Sequence, residues 1–500
     1  MILINTSSPD GAGLFQPFLP IYIPVGMGCL LSVCEREGIR VHFIDEQIER
    51  DSWKAIMDHV PSLKPPYIFG FSVLTGAFGH ALTMSRELKK KFPDSVVIFG
   101  GIHPTAHPEE CLEQESVDLV VRGEADEVLP ELYRRLKVSG DWRALDGVSD
   151  RVDGGYQHNS QRYVMDLDAF PPFPYHRFDP KRYSMGFVMS SRGCPYECIF
   201  CSNRVTTGKR YRFRSAPLVL EEIRILVEDY GIRRIYFLDD NLLVNKPRMM
   251  ALVQGIKDRG WQRTVEFSFQ GRADNADTGM MQELFDVGFK YVSFGIETAS
   301  PAVMTSIKKG ETLEEIIKAV HVAKSIGYGV SSTFIFGLPG ETAADRLAAV
   351  ELSRELELDI VKFNNAIPYP GTEFYRIARQ EGRLNVVGQY ENFNSVGTFT
   401  QAPWDEKALP YVPSGTTESG LRDDILWAYW RTLFNVKKMQ KIFLKSNEGN
   451  AWFSAGEGWL DFLRKVPALI LMVLIMAIKY AGLFMRTLFQ RMLGKFFRQA

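Results

Sequence analysis

Residues 187–201 read FVMSSRGCPYECIFC and combine a β-rich run with three closely spaced cysteines at the start of the longer α/β part of the chain. A short β-rich run is followed by Cys194, Cys198 and Cys201 in the spacing C-x3-C-x2-C. Thiolates are soft ligands that suit iron–sulfur clusters and zinc. Structural zinc takes four ligands, and no cysteine follows position 201, so a four-iron cluster with one open iron fits better. Metal-free cysteines, or a zinc site completed by a histidine, stay open as alternatives.

The β-rich run also begins a series of alternating strand and helix patterns between residues 183 and 375. The spacing of these patterns suits βα units. The candidate strands are Phe187–Ser190, Arg234–Leu238, Val265–Phe269, Tyr291–Phe294, Ser332–Phe336 and Ile360–Asn364. Six such units predict an open or complete barrel, and active sites of barrels lie on the loops that follow the strands.

The cysteine motif resembles the signature of the radical S-adenosylmethionine (AdoMet) enzymes, C-x3-C-x-aromatic-C, with Phe200 at the aromatic position. The resemblance implies a partial (β/α)6 barrel of the TIM type and a 4Fe-4S cluster held by Cys194, Cys198 and Cys201. It further implies that the open iron binds the amino and carboxylate groups of AdoMet. One electron then cleaves the C–S bond and gives a 5′-deoxyadenosyl radical. The resemblance identifies no catalytic side chain.

Other positions of the family's AdoMet site fall at the ends of the candidate strands. The residues implied as AdoMet contacts are Phe200, Asp239, Asp240, Arg272, Glu297, Gly337 and Glu341. The aspartates match the position that contacts the amino group, the arginine suits the carboxylate, and the glutamate matches the ribose position. The segment 337–341 resembles the backbone motif beside the adenine. A helix cap or an ordinary surface charge is the alternative for each side chain.

Residues 1–138 show a second series of strand and helix patterns. The candidate strands are Ile2–Ile4, Ile39–Ile44, Tyr67–Val73, Ser95–Phe99 and Val117–Val121. With crossover helices between them, they predict a doubly wound parallel sheet of the Rossmann or flavodoxin type. Ligands bind such sheets at the carboxyl ends of the strands. The loops there are rich in glycine, which lets a large flat ligand approach the backbone closely.

The stretches 99–104, 108–110 and 118–124 resemble the cobalamin-binding domain that precedes the barrel in some radical AdoMet enzymes. The candidate cobalamin contacts are Ser72, Thr75, Gly100, Gly101, His103 and Glu124. The D-x-H-x-x-G motif, whose histidine ligates cobalt in many cobalamin proteins, is absent. The resemblance therefore implies cobalamin with its own base displaced and no histidine of that motif below the cobalt. His103 and His107 are alternative ligands or backbone-bonded loop histidines, and an empty domain stays open.

Three further segments differ from these two series. Residues 139–182 contain four prolines after a polar stretch and are predicted to form a linker. Residues 376–460 are predicted to be mostly helical.

In residues 461–500, Val466 to Ile478 is a run of 13 uncharged apolar residues that ends at Lys479. The apolar and basic residues beyond it recur at helical spacing on opposite sides: Met485, Leu488, Phe489, Met492, Leu493 and Phe496, against Arg486, Arg491, Lys495 and Arg498. This pattern predicts a basic amphipathic helix on an anionic membrane surface, with a membrane span or a core helix packed on the barrel as alternatives.

The composition of the chain limits the kinds of partner it can bind and the cellular compartment in which it is expected. The net charge of −1 gives no overall basic field, which argues against a nucleic-acid partner. Seven basic residues and one acidic residue give the segment 461–500 a charge of +6, which leaves −7 for the rest of the chain. Six cysteines are too few for a disulfide framework, and the N-terminus lacks the pattern of a signal peptide. These features predict a cytoplasmic protein that is peripheral on the cytoplasmic membrane.

The functional hypothesis that joins these observations is a cobalamin-dependent radical AdoMet enzyme that methylates carbon in a small hydrophobic substrate. Family resemblance implies a flavodoxin or ferredoxin as the reductant. The first alternative is similar to the anaerobic oxidative cyclase of bacteriochlorophyll synthesis, which forms a ring without methyl transfer. An alternative of another class is a non-catalytic iron–sulfur electron carrier or a cobalamin-dependent sensor.

Overall fold

The computed structural model describes residues 1–7, 11–49, 51–138, 140–433 and 459–496, the last range with side chains at 463–488. Two large sheets organise these residues. The first has seven strands and belongs to the N-terminal third of the chain, and the second has six strands and belongs to the middle of the chain. This α/β architecture with a helical C-terminal end confirms the predicted fold class.

The N-terminal sheet consists of β1 (Ile2–Asn5), β2 (His42–Asp45), β3 (Ile68–Ser72), β4 (Val96–Gly100), β5 (Leu119–Val121), β6 (Val148–Val152) and β7 (Gly155–His158). The strand order is β2-β1-β3-β4-β5-β6-β7, and the first five strands are parallel. Its helices are α1 (Val25–Arg36), α2 (Ser52–His59), α3 (Phe78–Lys91), α4 (Ile102–Ala106), α5 (Pro108–Leu112) and α6 (Val128–Lys137). Strands β1, β3 and β5 are apolar runs because helices cover both faces of a parallel sheet.

Strands β6 and β7 form an antiparallel hairpin that extends this sheet from within the segment predicted to be a linker. The two-residue turn is Asp153-Gly154, and Gly154 has a positive φ of 85°. Asp-Gly between two strands is a strong hairpin signal, because glycine readily adopts the positive φ that this turn has at its second position. The segment 139–182, predicted to be a linker, therefore contains a hairpin at residues 148–158 that was not predicted.

The second sheet is fully parallel in the order β8-β11-β12-β13-β14-β15 and forms an open barrel wall. Its strands are β8 (Phe187–Val188), β11 (Arg234–Phe237), β12 (Glu266–Gly271), β13 (Phe289–Glu297), β14 (Gly329–Phe336) and β15 (Ile360–Asn365). A two-stranded antiparallel ribbon, β9 (Ser191–Arg192) with β10 (Arg212–Phe213), follows β8. The helices of this region are α7 (Asn203–Thr207), α8 (Ala216–Arg224), α9 (Lys246–Asp258), α10 (Thr278–Asp286), α11 (Pro301–Ser306), α12 (Leu313–Ile326), α13 (Ala343–Glu355) and α14 (Glu373–Gln380).

The described C-terminal helices are α15 (Gly397–Thr400), α16 (Glu418–Leu433) and α17 (Trp459–Phe496). Within the described chain, α17 is the one helix long and apolar enough to cross a membrane, over 26 residues from Leu463 to Leu488. A third of its most apolar window is buried against the protein. The residues Phe489, Arg491, Met492, Leu493, Lys495, Phe496 and Arg498 of the predicted amphipathic pattern lie outside the described side chains.

Candidate active site

The three cysteines of the motif lie on one loop between the ribbon strand β9 and the short helix α7. All three are free and half-buried thiols. The backbone N–H of Cys201 donates to the Cys198 carbonyl at 3.2 Å, and the N–H of Ile199 donates to the Ile307 carbonyl at 3.0 Å. The second bond ties the loop to the end of α11. The side chain of Phe200 is half-buried beside Ile199 in a small apolar cluster below the loop.

Burial raises the pKa of each of the three thiols, that of Cys201 to about 11. Without a metal these groups are therefore protonated at neutral pH, as metal-free cysteines in a partly apolar loop should be. Among the residues that the structure describes, no three His, Cys, Asp or Glu side chains converge as they would around a single ion. A four-iron cluster takes each thiolate on a different iron, so one loop carrying three separated thiols fits it in donor type and number.

Arg272, which follows β12, packs against the cysteine loop. Its guanidinium lies over the Tyr196 ring at 3.4 Å, and its Nη1 is 4.0 Å from the Cys198 sulfur. The same group binds the Asp274 carboxylate through two hydrogen bonds of 3.1 and 2.9 Å and donates to the Lys309 carbonyl at 2.7 Å. Arg272 therefore lies beside the cysteine loop, and its guanidinium is already paired with the Asp274 carboxylate of this chain.

A buried ion network that sequence analysis did not identify surrounds Arg272. Lys309 is buried and lies 3.3 Å from Glu311 and 3.7 Å from Glu297. Burial disfavours the charge of Lys309, but the two carboxylates raise its pKa. Glu297 ends β13 with a positive φ of 67°, unusual for a side chain with a Cβ, and burial raises its pKa despite the Lys309 charge. No motif marks Lys309 or Glu311, because their meeting depends on the loop after α11.

The two aspartates after β11 have different environments. Asp239 is buried and accepts hydrogen bonds from the Ser190 N–H at 3.2 Å, from the Ser190 hydroxyl at 2.8 Å and from the Ser191 hydroxyl. It therefore holds the start of the cysteine loop. Asp240 is half-buried, accepts a hydrogen bond from the Asn203 amide, and has its pKa raised by burial. Of the two, Asp240 is the carboxylate that faces open space.

The segment Gly337–Glu341 forms a closed turn after β14. The Gly337 N–H donates to the Glu341 carboxylate, and burial raises the pKa of Glu341 to about 8 although Arg346 lies 3.5 Å away. Gly337 has a φ of 91°, and a Cβ there would lie 2.8 Å from the Leu421 side chain of α16. The turn therefore requires glycine, and its glutamate closes the turn.

A cavity of about 420 Å³ joins the carboxyl ends of the two sheets. The N-terminal sheet contributes Gly70, Phe71, Ser72, Ile98, Gly100 and Gly101 to its wall. The barrel side contributes Met189, Ser191, Arg192, Gly193, Asn203 and Asp240. Gly193 and Asn203, which flank the three cysteines in the chain, and the glycine-rich loops thus border one space. The three cysteines themselves are not among the described residues that line it. Cavities of this size that lie at strand ends are where α/β proteins bind ligands.

Four of the six predicted cobalamin contacts line this cavity: Ser72, Gly100, Gly101 and Glu124. The structure does not bring Thr75 and His103 to it. Thr75 is buried at the start of the helical turn that leads into α3. His103 is buried on the other side of the sheet against Phe78 and Tyr390, with ring centroids 4.2 and 5.0 Å apart. Burial lowers the pKa of His103 to about 3, so it is neutral.

Buried ion pairs join the N-terminal sheet to the cysteine loop at the cavity wall. Arg192, two residues before Cys194, binds Asp126 through two hydrogen bonds of 2.9 and 2.8 Å. Burial would raise the pKa of Asp126, but the Arg192 guanidinium lowers it below the usual value. Glu124 accepts from the Val164 N–H at 2.7 Å and pairs with Arg212 on β10. Arg192 and Asp126 were not predicted as site residues from the sequence, and Glu124 was predicted only as a cobalamin contact.

The chain matches two family models and several known proteins. Residues 188–353 match the Radical SAM superfamily, and residues 14–133 match the B12 binding domain. A methyltransferase of Pyrococcus horikoshii described as uncharacterised is 32% identical over 362 residues, which cover 71% of this chain and 78% of the relative. The anaerobic magnesium-protoporphyrin IX monomethyl ester cyclase of Rubrivivax gelatinosus is 23% identical over 82% of this chain and 73% of its own length.

Solved structures show the same fold. The radical S-adenosylmethionine methyltransferase TsrM of Kitasatospora setae, solved with cobalamin and a [4Fe-4S] cluster bound, superimposes with a TM-score of 0.68. The two chains are 18% identical, and the superposition covers 85% of this chain and 90% of TsrM. The cofactors of this chain are AdoMet and a 4Fe-4S cluster, which go with the radical SAM domain, and cobalamin, which goes with the B12 binding domain. The resemblance stated from the cysteine motif is therefore confirmed, and the chain belongs to the radical SAM superfamily, among its enzymes with a B12-binding domain ahead of the barrel.

Proposed function

We propose that this enzyme transfers a methyl group to carbon in a hydrophobic substrate, using both cofactors in the cavity between the two sheets. The observation that carries the proposal is that one cavity borders both the residues that flank the cysteines, Gly193 and Asn203, and the glycine-rich loops of the N-terminal sheet. A substrate held in this cavity would be near the segments that would hold each of the two cofactors. The likeness over 71% of the chain to a methyltransferase favours methyl transfer over other radical chemistry.

The side chains of the cysteine loop and its neighbours would hold the 4Fe-4S cluster. Cys194, Cys198 and Cys201 supply three thiolates for the cluster, and the nearby cations Arg272 and Lys309 favour the charge that the Cys198 thiolate must carry. When bound, the cluster and cobalamin supply one-electron cleavage of AdoMet and a methyl carrier, chemistry that no side chain has.

Asp240 is the better candidate than Asp239 for the amino group of AdoMet. Its carboxylate lines the cavity, whereas Asp239 is committed to Ser190 and Ser191. Glu297 stands at the end of β13 with Lys309 as its nearest cation and stays the candidate for the ribose hydroxyls. The AdoMet carboxylate has to share Arg272 with Asp274 or displace it, because Asp274 already occupies the guanidinium fork.

The wall of the cavity supports a hydrophobic substrate. Most side chains of the N-terminal sheet and α1 that reach it are apolar: Leu3, Met27, Leu30, Phe71, Ile98 and Val121. Such a wall offers few hydrogen-bonding groups to a polar ligand, so binding depends on apolar contact.

A radical cyclase without methyl transfer is the second candidate. It is favoured by the likeness to the Rubrivivax gelatinosus cyclase, which extends over 82% of this chain. The two reactions differ in their by-products, because methyl transfer from AdoMet generates S-adenosylhomocysteine and cyclisation does not. The ratio of S-adenosylhomocysteine to 5′-deoxyadenosine in the presence of a cell extract that supplies the substrate therefore separates them.

Anaerobic reconstitution followed by dithionite and AdoMet tests the enzyme chemistry. We expect 5′-deoxyadenosine from the unaltered chain, and loss of both the visible cluster absorbance and the cleavage in Cys198→Ala. Cys111→Ala, at a buried cysteine of α5 away from the loop, is the matched control and should keep both. Absence of 5′-deoxyadenosine from the reconstituted unaltered chain would leave an electron carrier or a sensor as the function.

We further place the enzyme in the cytoplasm and on the cytoplasmic membrane, with a flavodoxin or ferredoxin as its reductant. The apolar helix α17 supports the membrane part of this proposal. Fractionation of cells that express the full chain tests it, because the protein should sediment with membranes. Recovery in the supernatant at low salt would contradict it.

A further inference from the structure

The outer side of α17 is an uninterrupted apolar surface, called here the outer face. Between residues 466 and 485, every exposed residue is apolar. Ile470, Leu474 and Ile478 are each more than half exposed and follow one another at intervals of four, so they form one stripe along the helix. At 1.5 Å per residue the whole segment 466–485 is about 30 Å long. Exposed apolar surfaces of this extent mark interaction sites.

The inner side of the same helix is attached to the protein through polar groups. The Lys479 ammonium donates to the Thr398 and Gln401 carbonyls at 2.7 and 2.6 Å. It also pairs with the Glu406 carboxylate at 2.7 Å, and its side chain is 2% exposed. Seven residues further on, Arg486 pairs with Asp423 of α16 at 2.6 Å. These contacts fix which side of α17 faces outward.

The Lys479 contacts argue against a helix that crosses the membrane. Lys479 lies in the apolar stretch, so a crossing helix would carry its ammonium through the hydrocarbon region. It would also lose three oxygen partners that it has here, and an unpaired cation at that depth is costly. A helix lying flat keeps these partners and exposes only the outer face to lipid.

The charge distribution favours an anionic membrane as the occupant of this face. Arg464 is exposed at one end of the stripe, and the sequence places Arg491, Lys495 and Arg498 beyond the other end. The segment 461–500 carries +6 and the remainder −7, and a charge of +4 is left on the segment after Lys479 pairs with Glu406 and Arg486 with Asp423. An anionic surface therefore attracts the helix and repels the rest of the chain. Trp404, 67% exposed, borders a groove of about 580 Å³ beside Ala468 and Leu471 of α17. Tryptophan at that position suits the interfacial layer of a bilayer.

A protein partner fits the outer face less well than lipid. Protein–protein interfaces contain roughly one hydrogen bond for each 100–200 Å² of buried surface. The outer face offers no polar side chain between residues 466 and 485 with which to form one. We propose, on the basis of the membrane association proposed above, that α17 lies in the plane of an anionic membrane with its outer face in the lipid boundary and Lys479 held in the protein.

Vesicle co-sedimentation of the full-length, purified protein tests this orientation. We expect binding to phosphatidylglycerol–phosphatidylcholine vesicles, weak binding to phosphatidylcholine alone, and release of the bound protein by alkaline carbonate. Leu474→Glu should weaken binding at least about tenfold, because a carboxylate replaces an apolar group in lipid. Leu347→Glu, at an exposed leucine of α13, is the matched control and should bind as the unaltered chain does. Both variants should melt at the temperature of the unaltered chain, because both leucines are exposed.

The outcomes separate this inference from the proposals on which it rests. If the unaltered chain binds neither vesicle, membrane association itself fails, and the 5′-deoxyadenosine assay still decides the proposed reaction. Binding that resists carbonate would mean that the helix crosses the bilayer and would overturn the flat orientation. Equal binding by Leu474→Glu would show that the outer face does not meet lipid. Conversion of a dimer to a monomer by Leu474→Glu without lipid would assign the face to a second copy of the chain and overturn the proposal.

Discussion

The carboxyl ends of the two sheets meet at one cavity, but they are built in opposite ways. Behind the barrel edge, charged side chains are buried and pair with one another around the cysteine loop, as Arg272 does with Asp274 and Lys309 with Glu311. At the edge of the N-terminal sheet, most of the residues at the cavity wall are glycines and apolar side chains, with Gly100 and Gly101 among them, and the carboxylates of Glu124 and Asp126 are already paired with arginines. The barrel edge is built mainly from fixed charges, and the sheet edge mainly from glycine backbone and apolar groups.

This difference matches the two kinds of cofactor. AdoMet carries an ammonium, a carboxylate and a sulfonium, so its site gains from charges that are already held in place. Cobalamin is a large flat ring, and glycine lets the backbone approach such a ring without a side chain in between. The comparison predicts that the barrel edge is sensitive to loss of charge and the sheet edge to added volume.

The largest expected effect comes from removing a buried cation at the barrel edge. Lys309→Met leaves Glu311 and Glu297 buried without their nearest ammonium, and breaking a buried pair in this way costs about 3–5 kcal/mol. Its neighbour Lys308 pairs with Glu373 at the surface, so Lys308→Met should cost less than about 1 kcal/mol. Urea unfolding of the two variants measures the difference. Equal stabilities would mean that the barrel edge does not depend on its buried charges.

Added volume at the sheet edge should weaken cobalamin binding without destabilising the fold. Gly26 lies in α1 at the cavity wall, and a Cβ there would meet no atom within 4 Å. Gly26→Leu should therefore extend into the space that the ring requires and lower its affinity about tenfold, as measured by the absorbance of bound cobalamin. Gly155→Leu, at an exposed glycine of β7 with equally open surroundings, is the control. Undiminished binding by Gly26→Leu would place the cobalamin site elsewhere.

The smallest expected effect concerns His103. Both ring nitrogens are buried without a hydrogen-bond partner, and the ring packs between Phe78 and Tyr390 away from the cavity. His103→Leu should leave the visible spectrum of bound cobalamin unchanged and the stability nearly so, because no hydrogen bond is lost. A changed spectrum of bound cobalamin in this variant would make His103 a candidate cobalt ligand. It would contradict the placement of its ring away from the cavity.

The sequence predicted the parts of the fold that depend on local pattern. The apolar runs of β1, β3 and β4 and of the six barrel strands were identifiable because parallel strands are buried on both faces. The cysteine loop was identifiable because its ligands lie within one short segment. The hairpin of β6 and β7 was missed although its Asp153-Gly154 turn is a strong local signal.

The sequence could not reveal how the side chains of the site share their partners. Asp239 and Asp240 are neighbours of the same type, and only the fold shows that Ser190 and Ser191 occupy the first. Lys309 follows the exposed Lys308 directly, and nothing local marks it as buried. Such pairings depend on loops that meet across the barrel edge, which spacing along the chain does not encode.

The Arg192–Asp126 pair has a consequence for how a substrate reaches the cavity. It joins the loop after β5 to the ribbon strand β9 through two hydrogen bonds, and that strand leads directly into the cysteine loop. Swinging the two halves apart would break both of these charged hydrogen bonds, so the pair opposes separation at the cavity wall. We therefore expect a substrate to enter through the mouth of the cavity while this pair holds the two halves together.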